Sequence, residues 1–309
     1  MEFITQQTGT YSNLPPSVAT IGFFDGVHHG HRYLIGQVCE KAKRAGLTSM
    51  LITFPVHPRQ VMQTDYQLSL LSTYDEKCNL LADTGADYCV ALPFDQEMAR
   101  LSAWDFMKEI LHKQLNVRTL VIGYDHRFGH NRSENFEDYV RYGQQLGIEV
   151  VSAEAFSMEE INISSSVVRL LLKEGEVKMA ARCLGYNYFL NGHVTSGLQI
   201  GRTLGYPTAN LQVDNAQKLI PANGVYAARI HMGESLYKGV VNIGCRPTID
   251  ESGKQTIEAH LLHFDGNLYN QPLCIEFVAR IRGEQKFSSR KALAERIEQD
   301  ARQAEEILG

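Results

Sequence analysis

Residues 18–54 read as a strand, a glycine-punctuated turn, a helix and a second strand, and that order restricts the fold more than any other feature of the chain. VATIGF (18–23) is an unbroken apolar run. Leu34, Ile35, Val38, Ala42 and Ala45 then share one helical face over 31–45, and Gly46 is placed to cap that helix. TSMLITF (48–54) is apolar again. Two strands joined by a crossover helix lie parallel in one sheet. The same alternation predicts helices at 75–83, 102–115 and 135–146 and strands at 88–92, 119–123 and 148–153. Ser102 is the expected N-cap of its helix, with Asp105 at the third position. Five parallel strands with covering helices predict a doubly wound α/β domain, and a helical patch follows at 164–184.

Near residue 186 the pattern changes. GVYAARI, YKGVVNIG, TIEAHLLHF and LCIEFVARI are short β-rich runs separated by Gly, Asn and Asp. Strands in series predict an antiparallel β-barrel. HFDGNLY (263–269), with Asp265 and Gly266 between apolar runs, reads as a hairpin. Leu293, Ile297, Ala301, Ala304 and Leu308 recur at helical spacing and predict a closing helix over 288–308. The boundary is expected in LGYNY (184–188), giving domains 1–185 and 186–309.

Charge narrows the partners. Thirty basic and 35 acidic residues leave a net charge of -5, without a basic block, which disfavours nucleic acid. An anionic ligand must then be held by local geometry. The six cysteines are scattered without a C-x-x-C pair, as expected of reduced thiols in a cytoplasmic protein rather than a zinc site. A polar N-terminus with Pro15 and Pro16 is unlike a signal peptide, and no apolar run reaches the ~18 residues of a membrane span. Small-molecule partners are expected, without nucleic acid or membrane.

Three clusters carry chemistry. GFFDGVHHGH (22–31) falls at a strand-to-helix turn, where a doubly wound sheet binds ligands and a helix N-terminus favours phosphate. Gly22, Gly26 and Gly30 let the backbone approach a ligand, and His28 and His31 can donate to phosphate oxygens whose charge grows during reaction. In ISSSVVR (163–169), Ser164, Ser165 and Ser166 open a helix, and Arg169 follows one turn on, a second anion site; simple N-capping would also explain the serines. GRTLGYPTANL (201–211) offers the Thr208 hydroxyl and the Asn210 amide oxygen to Mg²⁺ beside a glycine-rich turn, or is an ordinary β-turn.

GFFDGVHHGH with SSSVVR resembles the H-x-G-H nucleotidyltransferase superfamily. In detail it is similar to the adenylyltransferase module of bacterial bifunctional riboflavin kinase/FAD synthetases, as are TFPVHP (53–58) and GYDHRFGHNR (123–132). The resemblance implies that His28 and His31 bind ATP phosphates and that Ser164, Ser165, Ser166 and Arg169 form the second clamp. It places Gly22, Phe24, Asp25 and Gly30 at the nucleotide, and Asp125 and Arg127 on the flavin-phosphate side. GRTLGYPTANL, PANGVY (221–226), NIGCRPT (242–248) and EAH (258–260) resemble the riboflavin kinase signature in order. Thr208 and Asn210 then bind Mg-ATP, Gly201, Arg202 and Gly205 form a phosphate-side flap, and Glu258 is the base for the ribityl hydroxyl. Val56, His126, Ser166 and Cys245 depart from the usual Pro, Phe, Thr and Thr.

The implied activities are phosphorylation of riboflavin to FMN and adenylation of FMN to FAD, both with Mg²⁺ and ATP. A kinase with a silent first module, a flavin sensor, and an aminoacyl-tRNA synthetase sharing H-x-G-H are the alternatives. Intact His28, His31 and Arg169 speak against the first. Glu258 with paired phosphate clamps speaks against the second, and the acidic balance with SSSVVR against the third. Trp104 reads as core packing rather than flavin stacking, and His112, His231 and His263, without ligand-like spacing, as structural or exposed.

Overall fold

The computed structural model describes residues 1–5, 11, 13–62, 69–123, 127–130, 133–158, 161–195, 207–245 and 255–309. Packing divides the chain into Met1–Ser165 and Ser166–Gly309.

The first unit is built on a parallel sheet. Its strands are β1 (Glu2–Thr5), β2 (Ser17–Ile21), β3 (Thr48–Thr53), β4 (Tyr88–Ala91), β5 (Val117–Ile122) and β6 (Glu149–Ser152), in the order β1-β4-β3-β2-β5-β6. Where the sequence predicts five strands, the sheet has six. β1 pairs in parallel with β4 at one edge, and four half-polar residues give no periodicity to read.

β2 is buried throughout because both faces of the sheet are covered. Val18 packs against Val38 and Ala42 of α1 (His29–Ala45). Ala19 and Ile21 face the other way, toward Phe106, Met107, Ile110 and Leu111. Those four lie on a helix that opens as α5 (Ala103–Asp105), after α2 (Pro58–Met62), α3 (Tyr74–Ala82) and α4 (Gln96–Arg100). Ser102 caps α5 by accepting from Asp105 N–H at 3.1 Å. The helix then widens into a π-helix, Phe106–Gln114. α1 ends at Gly46 in the left-handed region, φ 66°, as its sequence predicts. α6 (Phe136–Leu146) connects β5 to β6, and β7 (Ser157–Met158) with β8 (Ile161–Asn162) forms a two-stranded ribbon.

The second unit opens with α7, whose range is Ser165–Glu174, and α8 (Val177–Leu184). A closed antiparallel barrel follows: β9 (Phe189–Thr195), β10 (Ala209–Val213), β11 (Gly224–Met232), β12 (Ser235–Cys245), β13 (Gln255–Leu261) and β14 (Pro272–Arg282), ordered β10-β13-β12-β11-β14-β9. Closure removes the exposed edges. The hairpin expected at 263–269 is absent: β13 and β14 are consecutive but not neighbours, because β13 pairs with β10 and β12 while β14 pairs with β9 and β11. Local turn chemistry at Asp265–Gly266 cannot foresee which partners complete a barrel.

Tyr226 and Phe277 meet edge to face inside the barrel at 5.3 Å. Outside it, α9 (Arg290–Leu308) sets Ala304 and Leu308 against Val225, Ala227 and Val240. Asp300, 2 % exposed, takes Arg282 Nη2 at 2.7 Å and Arg296 Nε at 3.1 Å.

Candidate functional site

β2 lies at the point of the sheet where the strand order reverses: β3 is on one side, reached through α1, and β5 is on the other. Ligands of open α/β sheets bind at the carboxyl ends of strands at such a point. Residues 22–28 occupy that place. Phe24, Gly26 and Val27 all take positive φ, at 56°, 75° and 38°. The sharp reversal brings His28 to the helix as its N-cap, where Nδ1 accepts from His31 N–H at 3.3 Å. An accepting Nδ1 leaves the proton of a neutral ring on Nε2, where it is a donor suited to a phosphate oxygen. The two imidazoles stack at 3.6 Å and 17°.

The loop is braced from beneath. Asp25, 3 % exposed, accepts from Leu71 N–H and Ser72 N–H, each at 3.0 Å. Gly26 N–H donates to Ser72 Oγ at 2.9 Å. Gly22 N–H bonds Ile52 O at 3.0 Å, and Phe24 is buried against His31, centroids 5.3 Å apart. The second serine of the other cluster reaches this loop: Ser165 Oγ donates to Asp25 O at 2.9 Å. Backbone at Ile163 passes so close that a Cβ on Gly30 would sit 3.5 Å from Ile163 O and 3.2 Å from His28 Nδ1. The structure therefore brings Gly22, Phe24, Asp25, His28, Gly30, His31 and Ser165 together. Ser164 precedes α7 and is exposed, as is Ser166; Arg169 is half-buried one turn into that helix. Arg127 is exposed, while Asp125 lies outside the described residues.

In the barrel, β-pairing assembles a polar row. Glu258 on β13 stands opposite Asn210 on β10 and Asn242 on β12, and Asn210 stands opposite Thr195 on β9. Ile257 and Ala259 point to the interior, so Glu258 faces outward with the two asparagines, as its alternation predicts. Thr208 and Asn210 flank the buried Ala209. A cavity of about 520 Å³ opens beside Thr208, lined among others by Val194, Ala209, Leu261, Phe264 and Tyr269. Gly201, Arg202 and Gly205 lie outside the described residues.

Two residues escaped the sequence reading. Asn242 sits inside the quoted NIGCRPT segment, but its place beside Glu258 depends on strand register. Lys77 lies under the histidine loop, 1 % exposed; its spacing of four from the apolar Leu81 was the available signal. His231 and His263, expected to be structural or exposed, pair with Glu276 at 2.9 Å and Glu305 at 2.6 Å, and the His263 side chain is exposed.

An α/β unit with a histidine turn at its switch point, followed by a barrel carrying a carboxylate between two carboxamides, has the two-part architecture of a nucleotide-using enzyme. The FAD synthetase family model matches residues 11–167, and the riboflavin kinase model matches residues 184–308. The bifunctional riboflavin kinase/FMN adenylyltransferase of Escherichia coli (strain K12) is 36% identical over 293 residues, 94% of this chain and 93% of its relative. That of Bacillus subtilis (strain 168) is 34% identical over 294 residues, covering 93% and 91%. The chain belongs to the bifunctional riboflavin kinase/FMN adenylyltransferase family. A crystal structure described as a macrolide-efflux protein from Streptococcus pneumoniae matches over 98% of both chains, with a TM-score of 0.87 and 26% identity. Among the described residues, no helix is long and apolar enough to cross a membrane.

Proposed function

We propose that this chain phosphorylates riboflavin to FMN in its barrel and adenylates FMN to FAD in its first unit. The observation that carries this reading is the presence of both family matches, in order, along one chain.

In the barrel step, the riboflavin 5′-oxygen bonds the γ-phosphorus of ATP, the β–γ bridge breaks and ADP leaves. An alcohol gains from losing its proton as it attacks, and Glu258 is the group assigned to take it. Asn210 and Asn242 on either side hold neutral amides near the carboxylate instead of a second charge. Thr208, beside the cavity, supplies one hydroxyl, and Asn210, two residues on and opposite Glu258, one carboxamide oxygen. That all-oxygen, incomplete set fits Mg²⁺, a hard cation that keeps waters and substrate phosphates among its ligands. When bound, Mg²⁺ neutralises the phosphate charge.

In the first unit, an FMN phosphate oxygen bonds the α-phosphorus of ATP and pyrophosphate leaves. A phosphate monoester is already a nucleophile, so the protein positions and stabilises charge. His28 and His31 are assigned to the leaving phosphates at the N-terminus of α1, with Ser164, Ser165, Ser166 and Arg169 as the second clamp. Gly22, Phe24, Asp25 and Gly30 shape the nucleotide side, and Arg127 with Asp125 the flavin side. The functional boundary is set at 185/186, and the setting proposed is the cytoplasm, which suits the scattered thiols.

Chromatography of products after mixing the protein with riboflavin, ATP and Mg²⁺, with a parallel tube given FMN, tests this. FMN and FAD from the first and FAD from the second are expected. FMN alone in both tubes would leave a kinase with a scaffold.

A further inference from the structure

Lys77 belongs to no quoted motif, yet its side chain ends at the junction of two site loops. It enters from α3, and Nζ donates to Phe54 O at 2.8 Å. The same nitrogen sits 3.9 Å from the Phe23 ring centroid and 5.7 Å from that of Tyr74. Phe23 lies in the loop that ends at His28, the N-cap of the helix that carries His31. Phe54 follows β3 and leads to His57, whose ring meets Phe23 edge-on at 4.5 Å. One cation thus touches the segments leaving the carboxyl ends of two neighbouring parallel strands, β2 and β3.

That placement is costly. A buried ammonium loses its hydration, and here the described partners are a neutral carbonyl and two ring faces. The carboxylate in its field, Asp25, is bonded to Leu71 and Ser72. Cys78 on its own helix and Cys89 on β4 also face it. Burial pushes the Cys89 thiol up to about 12 and raises the Tyr74 phenol too, so both are neutral. A methionine would fill the same volume without burying a charge.

We infer that Lys77 is a positioning residue for adenylyl transfer: its ammonium fixes the Phe23 end of the histidine loop against the Phe54 end of the next loop. The inference rests on reading the first unit as an FMN adenylyltransferase. A displacement of about 1 Å in a reacting group costs about a hundredfold in rate, and His28 lies on the loop that Phe23 anchors.

The attraction to the ring lasts only while the amine is charged. Desolvation lowers Lys77 from 10.5 to about 8, with the Asp25 charge opposing. Adenylation therefore loses this support as pH rises through about 8. Stability moves the other way. Between about 8 and 10.5 the unfolded chain holds more protons than the folded one, so folding is favoured as pH rises. A merely structural lysine would not divide activity from stability in this manner.

The test is FAD formation from FMN, ATP and Mg²⁺ by wild type, Lys77→Met and Lys77→Arg, on both sides of pH 8, with FMN formation as the control for the barrel. Lys77→Met is expected to unfold at no lower denaturant concentration than wild type. Its kcat for FAD should fall about tenfold to a hundredfold, with KM for ATP little changed. Lys77→Arg should recover much of that rate and lose the alkaline decline, because guanidinium stays charged. FMN formation should be unchanged in both. A folded Lys77→Met with wild-type kcat overturns the inference. So does a Met variant that unfolds more easily than wild type, which would make the lysine structural, or a wild type without the alkaline decline. Absence of FAD from wild type itself would instead refute the reading of the unit.

Discussion

Replacing Asp25 by alanine tests whether the histidine loop is held from beneath. The carboxylate is 3 % exposed, and its Oδ1 accepts from Leu71 N–H and Ser72 N–H at 3.0 Å each. Both donors belong to buried residues, Leu71 at 1% and Ser72 at 3% exposure. Alanine leaves two buried N–H groups without that acceptor. Each stranded donor costs about 1–3 kcal/mol, so the substitution should cost about 2–6 kcal/mol. That is a large share of the ~5–15 kcal/mol that stabilises a typical domain. Asparagine, with its oxygen in the Oδ1 position, keeps two neutral hydrogen bonds of about half the strength and should cost about 1–2 kcal/mol. The chain has a single tryptophan, and Trp104 lies in the first unit against Tyr142. Urea unfolding followed by its fluorescence therefore reads this unit by itself. FAD formation should fall with the loop, while FMN formation persists. An alanine variant destabilised by less than about 1 kcal/mol would refute the brace.

Glu258→Gln should slow FMN formation by about 10²–10⁴-fold and leave FAD formation from supplied FMN intact; an unchanged kinase rate removes Glu258 from the base role. His28→Ala with His31→Ala should abolish FAD formation and spare FMN formation. Loss of both activities in a folded variant would break the two-site reading. Asp300→Ala leaves Arg282, 15% exposed, without its bidentate acid and should cost about 3–5 kcal/mol. Limited proteolysis should then cut α9 faster, and an unaltered cutting rate would show that apolar packing alone holds that helix.

Periodicity and caps made much of the fold legible, because they depend on residues close in the chain. Ser102 and Gly46 cap where spacing places them, and the alternation of Ile257, Glu258 and Ala259 fixes which side chain turns outward. Glycine and histidine spacing marked a strand-to-helix turn at the carboxyl end of a parallel strand, and the turn lies there because that geometry is set by local backbone chemistry. Strand partnership was not legible. β1 joins β4 across more than eighty residues, and β13 passes over its successor to pair with β10. Those choices are decided by burial and closure of a whole sheet. For the same reason only the tertiary structure sets Asn210 and Asn242 beside Glu258, aims Asp25 at Leu71 and Ser72, and drives Lys77 under Phe23. Sequence determined which chemistry each segment carries; packing between distant segments decided which of those groups meet.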